Sequence, residues 1–231
     1  MKRMLAIETS AEACSAALAV DGDVRERFEH APLRHAELIL PMISGLLAEG
    51  GLRAVDLDAI AFGRGPGSFT SLRIGIGVVQ GLAWGADRPV VPVSSLAAVA
   101  QGVVDARTVP ATARILVAMD ARMGEVFHAA FRLDDDGRVV SDGNEGVSAP
   151  ESLSPPGEWL AAGNGFERYG ALSRLAERAS ASLPGIWPRA AAVLELAAVW
   201  LKTNEPLPAA LAQPVYIRND VAEKPDLSAA G

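Results

Sequence analysis

The sequence is poor in the residues on which many enzymes depend. Its 231 residues include one cysteine and three histidines, and only 5% of them are aromatic. The single thiol, Cys14, can form no disulfide within the chain, which fits a reducing compartment. The small residues around Cys14 indicate a buried structural thiol rather than a reactive one.

Positive charge is also scarce. Lys and Arg number 21 against 28 Asp and Glu, which gives a formal net charge of −7. No Lys- or Arg-rich run occurs, so the chain lacks the electrostatic footprint of a protein that binds nucleic acid by itself. No apolar run is long enough to span a bilayer, and residues 1–9 turn polar too soon for a signal peptide. We expect a cytoplasmic protein with no membrane contact.

The histidines give no metal-binding pattern. They are His30, His35 and His128. His35 opens a predicted helix, where a second histidine four residues on would complete a metal-binding pair, but that position is Ile39. No motif marks the nucleophile of a catalytic triad. We therefore predict neither a metal site nor a catalytic residue in this chain.

The most informative stretch runs from residue 59 to residue 85. A short apolar strand at 59–62 leads into the turn-rich loop 63–68 and a helix at 70–84. Strand, glycine loop and helix form an anion-binding or tight-packing corner of an α/β domain. The loop is not a Walker A loop, because no Gly-Lys-Ser/Thr closes it. It is not a complete dinucleotide fingerprint, because Ser68 replaces the third glycine. A tight corner without a ligand and a phosphate or partner contact both remain open.

The helix of this stretch carries an unusual row of glycines. Gly77, Gly81 and Gly85 fall four residues apart and so lie along one ridge, with Gly75 nearby. Each interior glycine costs about 0.5–1 kcal/mol relative to alanine. Close approach of another helix or backbone to this ridge would offset that cost. The neighbour belongs either to this chain or to a partner chain.

Hydrophobic periodicity and turn residues predict the other elements. In the first half they predict strands at 3–9, 14–20, 23–29 and 90–93 and helices at 35–49 and from Ser94 or Ser95 to 103. In the second half they predict strands at 114–120, 125–133 and 159–162, helices at 166–178 and 190–202, and an irregular end at 214–225 with an extended run at 215–218.

The second half repeats the start of the first. Residues 114–120 parallel residues 3–9, and residues 125–133 parallel the second strand. Asp136-Gly137 parallels the Asp21-Gly22 turn. We predict two related lobes, residues 1–107 and a degenerate lobe at 108–231 that lacks a second glycine loop.

One polar cluster could bind a ligand. Glu8, Thr9 and Ser10 end the first strand, and Asp120 takes the equivalent place in the second half. Acids there could hold Mg²⁺ through water while the hydroxyls bind phosphate. Thr9 and Ser10 could equally cap a turn. No Lys or Arg that would clamp a phosphate is evident near either acid.

Ordered motifs across nearly the whole chain resemble the bacterial TsaB (YeaZ) family. They are Leu5–Ser10, Arg34-His35, Leu40-Pro41-Met42, the block 63–70 with Leu72-Arg73, residues 93–96, 119–122 and 124–126, Gly163-Asn164-Gly165 and 214–218. The block 63–73 is the most specific. The family's usual acid after the first strand is Asp, here Glu8, and Ser71 stands where Gly is frequent.

The resemblance implies a fold and a pathway. The fold is the α/β actin/Hsp70/sugar-kinase-like (ASKHA) fold of two related lobes, each a mixed sheet with helices. The pathway makes threonylcarbamoyladenosine (t6A) beside the anticodon of tRNA. In it the related protein TsaD carries the metal, on a paired-histidine motif of its first helix, and transfers the threonylcarbamoyl group. TsaB proteins are non-catalytic partners of TsaD, and the ATPase TsaE joins them.

The resemblance also implies where partners dock. Pairing with TsaD would use the first two helices, at 35–49 and 70–84. The interface residues would be His35, Leu38, Met42, Arg73, Gly77, Gln80, Gly81 and Trp84. We expect tRNA contact only through the complex, self-association of the isolated chain through the same helices, and no cofactor of its own, although a nucleotide at the interface with TsaD stays possible.

Two other functions remain to be weighed. An ATP-using phosphotransferase of the ASKHA class would use Glu8 and Asp120. A metallopeptidase would follow from an old label on the wider family and would contain zinc.

Overall fold

A computed structural model describes residues 2–218 and folds them into two mixed sheets with helices around them. The first sheet contains β1 (Arg3–Glu8), β2 (Ala13–Val20), β3 (Asp23–His30), β4 (Ala59–Gly63) and β5 (Val90–Val93). The second contains β6 (Arg114–Arg122), β7 (Glu125–Leu133), β8 (Val139–Ser141), β9 (Gly146–Ser148), β10 (Trp159–Ala162) and β11 (Ala181–Leu183). The helices are α1 (His35–Glu49), α2 (Phe69–Ala86), α3 (Ser95–Ala106), α4 (Gly165–Arg168), α5 (Gly170–Ala176) and α6 (Ala190–Trp200).

The two sheets share one topology. The first has the strand order β3-β2-β1-β4-β5 and the second has the order β8-β7-β6-β10-β11, with β9 also paired to β7. In each sheet three antiparallel strands are followed by two parallel ones. The duplicated halves and the ASKHA-type α/β fold predicted from the sequence are therefore confirmed.

Alternation along β1 divides the core of the first sheet between its two faces. Leu5 and Ile7 pack with α1 and α2 on one face. Met4 and Ala6 pack with α6 on the other face. Successive side chains of a strand point to opposite sides, so a continuous apolar strand fills two cores at once.

The second sheet is covered in the same way. Ile115 and Val117 face α3, whereas Leu116 and Ala118 face α4 and α5. Helices α3 and α6 contact each other between the two sheets. We call the first sheet with α1, α2 and α6 the first lobe, and the second sheet with α3, α4 and α5 the second lobe. Helices α1 and α2 thus form an outer layer of the molecule.

The lobes are not consecutive segments of chain. Helix α6 follows the second sheet in sequence but packs against the first. The predicted division into residues 1–107 and 108–231 stays a prediction, and its last residues, 219–231, lie outside the described part of the chain, as does the end of the predicted irregular segment 214–225.

One local prediction was wrong, and two short strands were missed. The helix predicted at 166–178 is two short helices, α4 and α5, because Tyr169 between them is extended (φ −115°, ψ 120°). The short strands β9 and β11 were not predicted.

Within residues 2–218, no helix has the length and apolarity required to cross a membrane.

Candidate functional site

The glycine ridge of α2 is open. A Cβ built on Gly77, Gly81 or Gly85 would meet no atom within 4 Å among the described residues. Gly75 differs, because a Cβ there would overlap the buried side chain of Thr9. The sequence left open whether this chain or a partner chain covers the ridge. Within residues 2–218, no segment of this chain packs on Gly77, Gly81 or Gly85.

Most of the predicted interface residues are exposed or half-buried in the free chain. Arg73, Gln80 and Trp84 are exposed, Trp84 by 75%, and Leu38 and Met42 are half-buried. Sequence reasoning missed two large apolar residues of α1 and α2 that are about half exposed, Leu40 and Phe69. We call the exposed surface of α1 and α2 around the ridge the open face.

His35, one of the predicted interface residues, is buried in the free chain. It is only 2% exposed, and its Nε2 donates hydrogen bonds to the carbonyl oxygens of Ala11 (2.9 Å) and Ala13 (3.2 Å). The ring therefore fastens the start of α1 to the β1–β2 connection. Four residues on, Ile39 is fully buried in the core with Leu5. In the described residues, no three His, Cys, Asp or Glu side chains are grouped as metal ligands.

Glu8 is enclosed rather than presented to a ligand. The side chain is 1% exposed. Its Oε1 accepts a hydrogen bond from Ser10 N (2.6 Å) and its Oε2 accepts one from Ser95 Oγ (2.8 Å). Burial raises the pKa of the Glu8 carboxyl above its ordinary value, although these hydrogen bonds oppose the shift. Both carboxylate oxygens are thus already used within the chain.

The glycine loop makes room for this network. A Cβ on Gly63 would overlap the Glu8 carboxylate, and one on Gly67 would overlap the backbone of Ser10. Gly65 has φ +93°, and its N donates to Ser95 Oγ (3.2 Å). These close approaches favour the tight-corner interpretation of the loop over a phosphate contact. Thr9 belongs to the same packing, because its buried Oγ1 donates to the Ser71 carbonyl (2.9 Å).

Asp120 lies at the cleft between the lobes and is surrounded by cations. Its side chain is almost fully buried and pairs with Arg122 (3.2 Å) and Arg168 (3.1 Å). Tyr169 Oη donates to Asp120 Oδ1 (2.6 Å), and burial followed by this bond raises the pKa of Tyr169 to about 12. The sequence showed no phosphate clamp near this acid, and in the structure both arginines pair with the Asp120 carboxylate itself.

The cleft itself does not fit a magnesium nucleotide held by Glu8 and Asp120. It encloses about 450 Å³, and Ser10 and Asp120 belong to its lining, whereas Glu8 and Thr9 do not. Mg²⁺ prefers free carboxylate oxygens and water. Here Glu8 has no free oxygen and Asp120 is neutralised by two guanidinium groups.

Known proteins resemble this chain in sequence and architecture. The family model of the tRNA N6-adenosine threonylcarbamoyltransferase TsaD matches residues 29–219. The tRNA threonylcarbamoyladenosine biosynthesis protein TsaB of Escherichia coli is 40% identical over 227 residues, which cover 96% of this chain and 97% of that protein. The chain belongs to the TsaB family. The structure of YeaZ from Pseudomonas aeruginosa, 41% identical, superimposes with a TM-score of 0.86 over 94% of this chain and all of that one.

The TsaB family is also related to the transferases themselves. The tRNA N6-adenosine threonylcarbamoyltransferase of Chlorobaculum tepidum is 33% identical over 110 residues, 41% of this chain and 31% of that protein. The similarity therefore extends beyond TsaB proteins to chains named as the transferase.

Proposed function

We propose that this chain is a non-catalytic subunit in the formation of threonylcarbamoyladenosine in tRNA. It docks on the transferase TsaD, stabilises it, and works with the ATPase TsaE while TsaD transfers the threonylcarbamoyl group to the adenosine adjacent to the anticodon. The observation that carries the proposal is the open ridge of Gly77, Gly81 and Gly85. The pathway in this proposal is taken from the TsaB relatives, which are named for the biosynthesis of threonylcarbamoyladenosine in tRNA.

The physical support is that the ridge destabilises its own helix. Each of the three exposed glycines lowers helix stability by about 0.5–1 kcal/mol relative to alanine, and no contact with the described residues offsets this loss. A partner helix can approach a surface without side chains closely enough to offset it by packing. Trp84 and Leu40 supply the apolar anchors that dominate the energy of such interfaces.

A second copy of the chain can use the same face. We propose that the isolated protein self-associates through α1 and α2 and that TsaD displaces the second copy. Because both partners would cover the same glycines, the two assemblies exclude each other. The reaction on tRNA places the complex in the cytoplasm, and tRNA contacts come through the complex rather than through this acidic chain alone.

The lack of turnover in this subunit is supported by its polar groups. Glu8 and Asp120, the acids that a phosphotransferase would need, are already bonded within the chain. Ile39 fills the position at which a second histidine would bind metal. A nucleotide bound in the complex would then lie at the interface with TsaD, held mainly by TsaD groups.

Reconstitution tests the proposal. Purified TsaD and TsaE are mixed with unmodified tRNA, threonine, bicarbonate and ATP together with the enzyme that makes threonylcarbamoyl-adenylate, and the modified nucleoside is measured. We expect product only when this chain is added, and none from this chain without TsaD. Product in the absence of TsaD, or equal product with and without this chain, would overturn the assignment.

A further inference from the structure

The last described segment of the chain joins both lobes. Residues 207–218, which we call the strap, begin at the edge of the first sheet, where Leu207 and Val90 exchange two backbone hydrogen bonds (2.7 and 2.8 Å). Further along, the Ala212 carbonyl accepts a hydrogen bond from Gln80 Nε2 of α2 (2.7 Å), and Ala212 is fully buried. The strap therefore follows α2 along one side of the open face.

The strap then crosses to the second lobe. Tyr216 still contacts α2, since its Oη accepts a hydrogen bond from Arg73 Nε (3.1 Å) and its ring lies 5.5 Å from that of Phe69. Two residues later the guanidinium of Arg218 forms an ion pair with Glu125 at the start of β7 and lies 3.6 Å from Met123 Sδ. The side chain of Arg218 is 16% exposed and that of Glu125 is 37% exposed, so this pair is partly shielded from solvent.

A second tie between the lobes uses a residue that also holds the strap. The carbonyl of Arg64, just after β4, accepts the hydrogen bond of Val215 N (2.8 Å). The guanidinium of Arg64 pairs with both carboxylate oxygens of Glu145, before β9, at 3.1 and 3.2 Å. A bidentate pair fixes direction as well as distance. Arg64 therefore connects the strap, the first sheet and the second lobe.

We propose that the strap holds the two lobes in one relative orientation and couples that orientation to docking on α2. Relative motion of two lobes is the default unless contacts between them oppose it. The ties at Arg218 and Arg64 oppose it, in addition to the contact of α3 with α6 and the hydrogen bond from Ser95 Oγ to Glu8. Because Arg73 and Gln80 bond the strap on one side and border the open face on the other, a partner that moves α2 moves the strap and, through Arg218, the second lobe. The coupling rests on the proposed docking function, whereas the control of lobe orientation does not.

Single-molecule energy transfer between the lobes tests the first half of the proposal. Dyes are attached to Asp23→Cys in the first lobe and Glu177→Cys in the second, since Cys14 is fully buried and does not react. Picomolar concentrations keep the chain free of self-association. We expect one narrow distribution for the parent chain and a broader or shifted one for Arg218→Ala, with a larger change when Glu145→Gln is added.

The controls separate the strap from general destabilisation. Arg27→Ala removes an arginine whose partner, Glu49, lies in the same lobe, so the parent distribution should persist. Glu125→Gln breaks the Arg218 tie from the other side and should reproduce the change. Circular dichroism shows whether Arg218→Ala and Glu125→Gln are folded. If both are folded and their energy-transfer distributions match that of the parent chain, the strap does not hold the lobes in one orientation.

Binding to TsaD tests the coupling. The affinity of Arg218→Ala for TsaD should fall at least threefold, while Arg27→Ala binds like the parent chain. A broadened energy-transfer distribution with unaltered affinity for TsaD would overturn the coupling to docking. It would leave the control of lobe orientation by the strap intact. Failure of the parent chain to bind TsaD would instead refute the proposed function, and the dye measurement would still decide the strap.

Discussion

The carboxylate of Glu8 lies against the Cα of Gly63, in space that any other residue at position 63 would fill. Strands β1 and β4 pair in parallel with Ile7 beside Phe62. The next residue along β1 is Glu8 and the next along β4 is Gly63, so these two lie side by side. The buried acid at the end of β1 therefore depends on a missing side chain in the neighbouring strand.

Replacing Gly63 by alanine should destabilise the chain by about 1–3 kcal/mol, the usual cost of overpacking a core. The added methyl group would displace the Glu8 carboxylate from Ser10 and Ser95. Urea denaturation measures the change. Gly81→Ala is the matched control, because its methyl group enters open space, and it should stabilise by about 0.5–1 kcal/mol. Equal effects of the two substitutions would contradict this account of the glycine loop.

The stability of the chain should depend on pH through Glu8. Burial raises the pKa of this carboxyl in the folded state above the value of 4.5 ordinary for Glu. The folded state then binds the proton more tightly than the unfolded state, so this contribution is complete at low pH and is lost as pH rises from about 4.5 through the raised pKa. The side chain in Glu8→Gln stays neutral at every pH, so the stability of this variant should not show this decrease.

Denaturation of both proteins at a series of pH values measures the effect. The free energy of unfolding of the parent chain should fall relative to that of Glu8→Gln as pH rises. A difference that does not vary with pH, or that varies in the opposite direction, would show that the folded-state pKa is not raised.

Leucine in place of Gly77 or Gly81 should prevent docking on TsaD and self-association while the monomer stays folded. The added side chain would project from the ridge that the partner must approach. Size-exclusion chromatography with and without TsaD measures both assemblies. Gly170→Leu, on an exposed glycine of α5 in the second lobe, is the control and should behave like the parent chain. Continued co-elution of Gly77→Leu with TsaD would place the interface elsewhere.

Trp84→Ala should weaken TsaD binding by roughly 30-fold or more, since a buried interface tryptophan commonly contributes about 2 kcal/mol or more. The side chain is 75% exposed in the free chain, so the free energy of unfolding should change by only about 0.5 kcal/mol. Calorimetric titration gives the affinity. Val24→Ala, a half-exposed apolar residue of β3 outside the open face, should leave the affinity unchanged.

Much of the fold could be predicted because local signals mark it. The bounds of α1, β5, β7 and β10 were predicted to the residue, since glycine, proline and Asp-Gly turns punctuate strongly periodic segments. Ser94 or Ser95 was predicted to cap α3, and Ser94 is the cap, since its Oγ accepts a hydrogen bond from Ala97 N. Strands β9 and β11, of three residues each, are too short to show a period.

The candidate site was less predictable because its contacts are distant in sequence. Nothing near Asp120 in the sequence indicates Arg168, which is brought to it by the packing of α4 on the second sheet. His35 was named as an interface residue from the family resemblance, and only the structure shows that it is buried and bonded to Ala11 and Ala13. The openness of the glycine ridge could be proposed from spacing alone, but only the packing of the whole chain decides it.

Because α6 returns to cover the first sheet, the first half of the chain lacks part of its own core. A fragment that stops before residue 190 would leave Met4, Ala6 and Val91 without their apolar cover. Such a fragment should aggregate unless the missing helix is supplied as a separate peptide. Each half of the chain thus supplies a helix to the interior of the other, α3 to the second sheet and α6 to the first.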